Sequence, residues 1–411
     1  MKSILIIGKV WPESASSAAG SRMMRLISVF LKAGYTVSFA STANTSQFSD
    51  DLHKLGITSF NITLNNSSFD VFMKEHAPQL VLFDRFTSEE QFGWRVAAVC
   101  PNAVRILDTE DLHFLRAARQ TALKEKRNVL PGDLQSDIAK RELASMYRCD
   151  LSLIISSFEM KVVKEQLNMD ASILHYLPFI VEDISVEQKK ALAPFDARQH
   201  FISIGNFLHE PNWDALVYLK TDIWPRIRKQ LPKAELHNYG AYPSQKVFEL
   251  TNAKEGFIIK GRAETVQTVM QQARLCLAPL RFGAGIKGKL VDAMLAGTPS
   301  ITTAIGAEAM QNDLPWGGAV KNTSQAFAEA AVHLYQSQAD WQQAQKNGFR
   351  ILQDNFTNTV HEKELIDLIT LIQSNLQAHR TANFTGAMLM HHTLQSTRYM
   401  ALWIEEKNKS H

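Results

Sequence analysis

The chain has too few cysteines, too little net charge and no apolar run long enough for several protein classes. Cys100, Cys149 and Cys276 are odd in number and far apart. They make neither a disulfide framework nor a metal or redox motif, so a reducing, cytoplasmic setting is expected. A formal charge of +3 over 411 residues is too small to hold nucleic acid. The one basic run, Arg116, Arg119, Lys124, Lys126 and Arg127, is expected to be a solvated helix face. At most it offers a local attraction to an anionic membrane surface. No apolar stretch approaches the length of a bilayer span. Ile4-Leu-Ile-Ile7, followed at once by Gly8 and Lys9, is too short for a signal peptide and reads as a first buried strand. No transmembrane segment is expected, which leaves peripheral association at the inner face of the membrane.

The length favours two domains. Apolar runs bounded by turn residues predict strands at Ser3–Ile7, Thr36–Ala40, Ile57–Ile62, Leu80–Phe83, Val104–Leu107, Leu151–Ile155 and Ile173–Tyr176. Helical periodicity lies between most of them, as at Arg22–Lys32 and Ser88–Val99. The pattern is that of a parallel sheet covered on both faces. After Pro178 the sequence becomes polar, and residues 181–199 are expected to be a linker. The alternation then restarts with Phe201–Ile204, Glu235–Asn238, Phe257–Ile259, Leu275–Ala278 and Ser300–Thr302. The expected organisation is α/β, with Rossmann-like doubly wound domains at residues 1–180 and 200–380. A C-terminal helix, 381–411, is expected to pack back on the first domain through residues such as Leu389, Met390, Leu394 and Ala401.

The most informative stretch runs from Ala278 to Thr303: strand, glycine-rich loop, amphipathic helix, tight turn, strand. Gly283 and Gly285 let backbone come close to a bulky anion. The helix that follows presents unpaired N–H groups and about half a positive charge to the same place. Lys287 and Lys289 add two full charges, and Asp292 follows one turn after Lys289. Such a site holds a phosphate-bearing ligand and grips a hydroxyl beside it. On an ideal helix two residues are roughly 200° apart. The two lysines are therefore expected to diverge, with Lys289 the ligand contact.

On these residues the C-terminal half resembles the nucleotide-sugar domain of family-4 glycosyltransferases, which have the two-domain GT-B architecture. Ser203-Ile-Gly-Asn-Phe, Pro211-Asn-Trp-Asp, Ile223-Trp-Pro225 and above all Pro279–Met310 carry the likeness. In the N-terminal half it rests on Pro12–Arg25 and Leu107–Arg116. The resemblance implies a retaining hexosyltransferase that takes a nucleoside-diphosphate sugar as donor substrate and needs no cofactor or metal. The acceptor would be a glycan, a lipid-linked glycan, a protein or a small molecule, as in surface polysaccharide biosynthesis. It further implies that Gly283, Gly285, Lys287 and Lys289 clamp the diphosphate, with Arg281 adding to them. Asp292 stands where a ribose-binding glutamate is usual. Ala284 stands where many members carry an acid, and no arginine follows Gly205 and Asn206 on the first donor-side loop. Gly261 and Arg262 resemble the loop beside the base, and Gly306 and Glu308 are expected to line the donor pocket. On the acceptor side the corresponding residues are Gly20, Arg22, Asp111 and His113, with His113 binding and orienting the transferred sugar.

Other readings share some of these features. A sugar-nucleotide epimerase has the same architecture and would need acid and base groups from His113, Asp111 and Glu308. A non-catalytic sugar-nucleotide-binding protein fits the shortened Asp292 and the missing arginine. A glycosidase needs two carboxylates across the scissile bond, and no such pair is evident. His391-His392 has no further ligand in spacing and is expected to pack rather than bind metal. His209 and His237 are expected to be ordinary loop or strand-edge residues.

Overall fold

The computed structural model describes residues 2–357 and 360–409, apart from the side chains of residues 392–394. His392 and Leu394 therefore lie outside the described side chains. The first sheet contains β1 (Ser3–Gly8), β2 (Thr36–Ser41), β3 (Thr58–Asn61), β4 (Leu80–Asp84), β5 (Val104–Asp108), β6 (Leu151–Ile154) and β7 (Leu174–Tyr176). Its order is β3-β2-β1-β4-β5-β6-β7, and every pairing is parallel. The second contains β8 (Gln199–Ile204), β9 (Leu236–Tyr239), β10 (Phe257–Gly261), β11 (Ala273–Ala278), β12 (Ser300–Thr302) and β13 (Gly318–Val320). Its order is β10-β9-β8-β11-β12-β13, again parallel throughout. The strands are covered on both faces, as their continuous apolar runs require. In the first sheet Ile4, Ile6, Leu80 and Leu82 are buried in the core on one face, and Leu5, Ile7, Val81 and Phe83 in the core on the other.

Both sheets reverse their winding direction once, between β1 and β4 in the first and between β8 and β11 in the second. At such a switch point the connections leave toward opposite faces and open a crevice at the carboxyl ends of the strands. Gly8 and Asp84 end β1 and β4, and Ile204 and Ala278 end β8 and β11, so each half contributes its own crevice.

The linker holds a short helix, Val186–Ala191, capped reciprocally by Ser185 and Gln188. The chain returns to the first domain earlier than the expected boundary at residue 380. Leu365, Ile369 and Ile372 of the helix Val360–Ser374 join the core formed by Ile4, Ile6, Leu80 and Leu82. The two crossings run side by side, with the Val181 N–H donating to the Phe356 carbonyl at 2.9 Å. The last helix, Phe384–Lys409, continues over the helices Asp137–Arg148 and Arg85–Val99. Among the described residues no helix is long and apolar enough to cross a membrane.

Candidate active site

A cleft of about 970 Å³ lies between the two sets of strand ends. On the second domain its wall is the Gly283–Lys289 segment, with Gly205, Asn206, Asn212, Arg262 and Asp292. On the first it is Lys9, Gly20, Arg85, Glu110, Asp111, His113 and Arg116.

The helix expected after the glycine loop spans Gly288–Leu295, with Lys287 as its N-cap in extended conformation (φ −88°, ψ 90°). Lys287 thus precedes the helix, the 200° divergence does not apply, and both lysines reach the cleft. Lys287 is buried, and its Nζ donates to the Gly285 carbonyl at 2.7 Å. Lys289 Nζ donates to Asn212 Oδ1 at 2.7 Å. Burial lowers each ammonium to a pKa of about 8. For Lys287, nearby Glu308 works against that fall and Arg119 adds to it. Asp292 also faces the cleft, and burial raises its carboxyl to about 7. The two loop glycines hold φ values of 152° and 65°.

The first domain supplies His113 at the start of the helix His113–Lys124. Buried Glu142 fixes that helix end, since its carboxylate accepts the His113 and Phe114 N–H groups, each at 3.1 Å. His113 Nε2 lies 3.4 Å from Asp111 Oδ1. Burial lowers the imidazole to about 4 despite the pull of Asp111, so the ring is neutral at physiological pH. Burial alone would raise Asp111, but Arg116 and His113 outweigh it and bring its carboxyl down to about 2. Asp111 is thus a fixed anion, paired with Arg116. Gly20 sits where a Cβ would come within 2.4 Å of the Glu13 carbonyl oxygen, so only glycine lets the Glu13 turn lie on this helix.

Five expected site residues lie off the cleft wall. Arg22 is buried in the first domain, where its guanidinium binds Asp108 and the carbonyls of Leu177 and Pro178. Arg281 turns outward to a two-point pair with Asp214 and lies over the Tyr218 ring. Glu308 is held by Arg119 through contacts of 2.8 and 2.6 Å. Gly306 is packed on its own strand, since a Cβ there would overlap Thr302 Oγ1 at 1.9 Å. Gly261 ends β10 with φ 74° and stands behind Arg262, which does reach the cleft and donates to Ser16 Oγ at 3.3 Å.

Several participants carried no signal that sequence reasoning used. Arg116 and Arg119 belong to a run expected to face solvent, yet their partners are Asp111, Glu308 and the Gly283 carbonyl. Asn212 was visible within Pro211-Asn-Trp-Asp but had no role. His209 was expected to be an ordinary loop residue and lines the cleft. Tyr242 crosses to Glu13 at 2.7 Å through its hydroxyl, a pairing 229 residues apart in sequence. Among the described residues no group of three His, Cys, Asp or Glu side chains could hold a metal ion.

Residues 198–337 match the family model described as Glycosyl transferases group 1. No curated protein matches the sequence. Among solved structures, the chain is similar to sucrose-phosphate synthase from Thermosynechococcus elongatus, with a TM-score of 0.68 at 15% identity. That match covers 91% of this chain and 100% of the other. It is also similar to a pneumococcal O-GlcNAc transferase solved with UDP and GlcNAc, with a TM-score of 0.65 at 13% identity over 90% of this chain and 99% of the other. A third similar structure is Anabaena HepE in complex with UDP and glucose, with a TM-score of 0.61 at 11% identity over 89% of this chain and 99% of that one. The fold is the two-domain GT-B architecture of glycosyltransferases.

Proposed function

We propose that the chain is a glycosyltransferase that moves a hexose from a nucleoside-diphosphate sugar to an acceptor hydroxyl with retention of anomeric configuration. The observation that carries this reading is the position of Lys287 and Lys289. Both ammonium groups stand at the start of one helix, beside two glycines, inside a cleft closed by a second domain. When the bond to the anomeric carbon breaks, negative charge accumulates on the departing diphosphate. Cations and N–H groups already in place stabilise that charge without reorganising. Each ammonium has a pKa of about 8 in the free protein, and a bound diphosphate would hold both fully protonated. Asp292 would accept hydrogen bonds from the ribose hydroxyls, and Arg262 would lie beside the base.

Opposite, neutral His113 would hydrogen-bond the transferred sugar, while ionised Asp111 keeps the ring oriented and supports the cation-like sugar. Asp111, held at about 2 by Arg116 and His113, is a poor proton donor, and Glu308 is occupied by Arg119. Both facts weigh against an epimerase, which would need acid and base groups at the ring. Contact between the two halves would keep water from the activated sugar. A cytoplasmic setting, with any membrane association peripheral, agrees with three free cysteines, two of them buried. The acceptor would be a glycan, a lipid-linked glycan, a protein or a small molecule.

The test is a thermal-shift screen against nucleoside diphosphates and their sugar conjugates. A ligand at a hundred times its dissociation constant adds about 2.7 kcal/mol of stability. One nucleoside diphosphate should stand out, and Lys289→Ala should abolish its effect. A flat panel would overturn the reading.

A further inference from the structure

The glycine loop is held less by its own domain than by the other one. Among the described residues, the backbone of Gly283–Gly285 makes one hydrogen bond with its own half, accepting at the Gly285 carbonyl from Lys287 Nζ. Its other two hydrogen bonds are with groups across the cleft. Arg119 Nη1 donates to the Gly283 carbonyl at 2.8 Å, and the same guanidinium grips Glu308 at 2.8 and 2.6 Å. Glu159 Oε1 accepts the Gly285 N–H at 2.8 Å and the Leu112 N–H at 2.9 Å. One carboxylate oxygen thus joins the donor-side loop to the loop leading to His113. Glu159 is fully buried, and among the described residues its second oxygen has no hydrogen-bond partner. A buried carboxylate with only one oxygen satisfied is costly. It is tolerated here where it fastens two loops of different domains.

Gly283 and Gly285 have wide conformational freedom, so a loop built on them needs outside contacts to keep one shape. With the halves apart, the Gly283 carbonyl and the Gly285 N–H would turn to water and the loop would relax. We infer that Arg119 and Glu159 are positioning residues that form an interdomain clasp on the glycine loop, so the diphosphate cradle acquires its working shape only when the two domains meet. This rests on the donor reading above. It adds that the phosphate site is assembled by side chains of the acceptor-side domain, which would tie leaving-group stabilisation to exclusion of water.

The experiment compares the full-length wild type with Arg119→Ala, Glu159→Ala and Glu159→Gln. Hydrogen exchange is followed by mass spectrometry on the peptide containing Gly285, and pyrophosphate binding by calorimetry. Arg119→Ala and Glu159→Ala should speed exchange of the loop at least tenfold and weaken pyrophosphate at least tenfold. Peptides of β1 and β8 should keep their protection. Glu159→Gln retains a carbonyl oxygen that accepts both N–H groups and should restore most of both signals, which general destabilisation by the alanine variants would not predict for distant peptides. Unchanged loop exchange in both alanine variants would overturn the clasp, as would pyrophosphate affinity that ignores a loosened loop. If the wild type binds neither pyrophosphate nor any nucleoside diphosphate of the panel above, the donor reading fails, while the exchange data still decide whether the clasp exists.

Discussion

Lys289 Nζ lies 2.7 Å from Asn212 Oδ1, and a Cβ on Gly205 would fall 2.8 Å from that same nitrogen. The lysine therefore occupies the space beside the Gly205–Asn206 loop, where the resemblance leads one to look for an arginine. The positive charge has reached that loop from a different helix. Gly205→Ala should push Lys289 and Asn212 away without disturbing the strand. Turnover at low donor should fall about tenfold, equivalent to ~1.4 kcal/mol, with an unchanged melting temperature. Donor kcat/KM beside a thermal melt decides it, and a fully active variant would show that the lysine's placement is immaterial.

The lysines also give a pH dependence. Burial lowers both to about 8 in the free protein. Below that pH they are charged and ready for an anion. Above it, binding must first take up protons. Pyrophosphate affinity should fall between pH 8 and 10, by up to about tenfold per unit for each lysine that must be protonated. Calorimetry across that range tests this, and Lys287→Ala should make the decline shallower. A constant affinity would contradict it.

His113 should behave differently from a histidine in water. Burial holds it near 4, so it is neutral over the working range and donates or accepts a hydrogen bond without titrating. The pH profile of kcat should show no step near 6.5 that disappears in His113→Gln. His113→Ala should lower kcat by roughly 10²-fold, the low end of what one positioned polar group contributes. Its thermal stability should stay near wild type, because the helix end is held by Glu142 through backbone N–H groups.

Gly20 is a packing requirement with a functional consequence. A methyl group there would meet the backbone of Glu13 at 2.4 and 2.5 Å, atoms that cannot rotate aside. Gly20→Ala should cost about 1–3 kcal/mol, the usual range for overpacking. It should also displace the turn that carries the Glu13 contact to Tyr242 and the Ser16 contact to Arg262. Denaturant melts and donor KM should worsen together. A variant with native stability would mean that the turn is softer than its packing implies.

The sheets were legible because their strands are short apolar runs buried on both faces. β13 was missed because Gly318-Ala-Val320 is three residues long and only half-buried, too brief for periodicity to register. The glycine loop and its lysines were visible as a motif, yet the helix boundary was read from the motif rather than from Lys287's own extended backbone. That difference is why both lysines, and not Lys289 alone, reach the cleft. The partners of Arg119 and Arg22 were invisible for another reason. Arg119 meets Glu308 across 189 residues and Arg22 meets Asp108 across 86. Local sequence gives a charged residue a helix face, while its partner depends on how distant elements come together, within one domain for Arg22 and across two for Arg119. Leu365, Ile369 and Ile372 likewise recur at helical spacing, but nothing in that spacing says which of two cores they enter.

The adjacent crossings at Val181 and Phe356 have a mechanical consequence. A single tether would let the halves swivel and twist independently. Two tethers bonded to each other work like the pins of a door, leaving swing about one line as the easy motion. Substrate entry and product exit would then follow one reproducible path, and the lysines and His113 would return to the same register at every turnover.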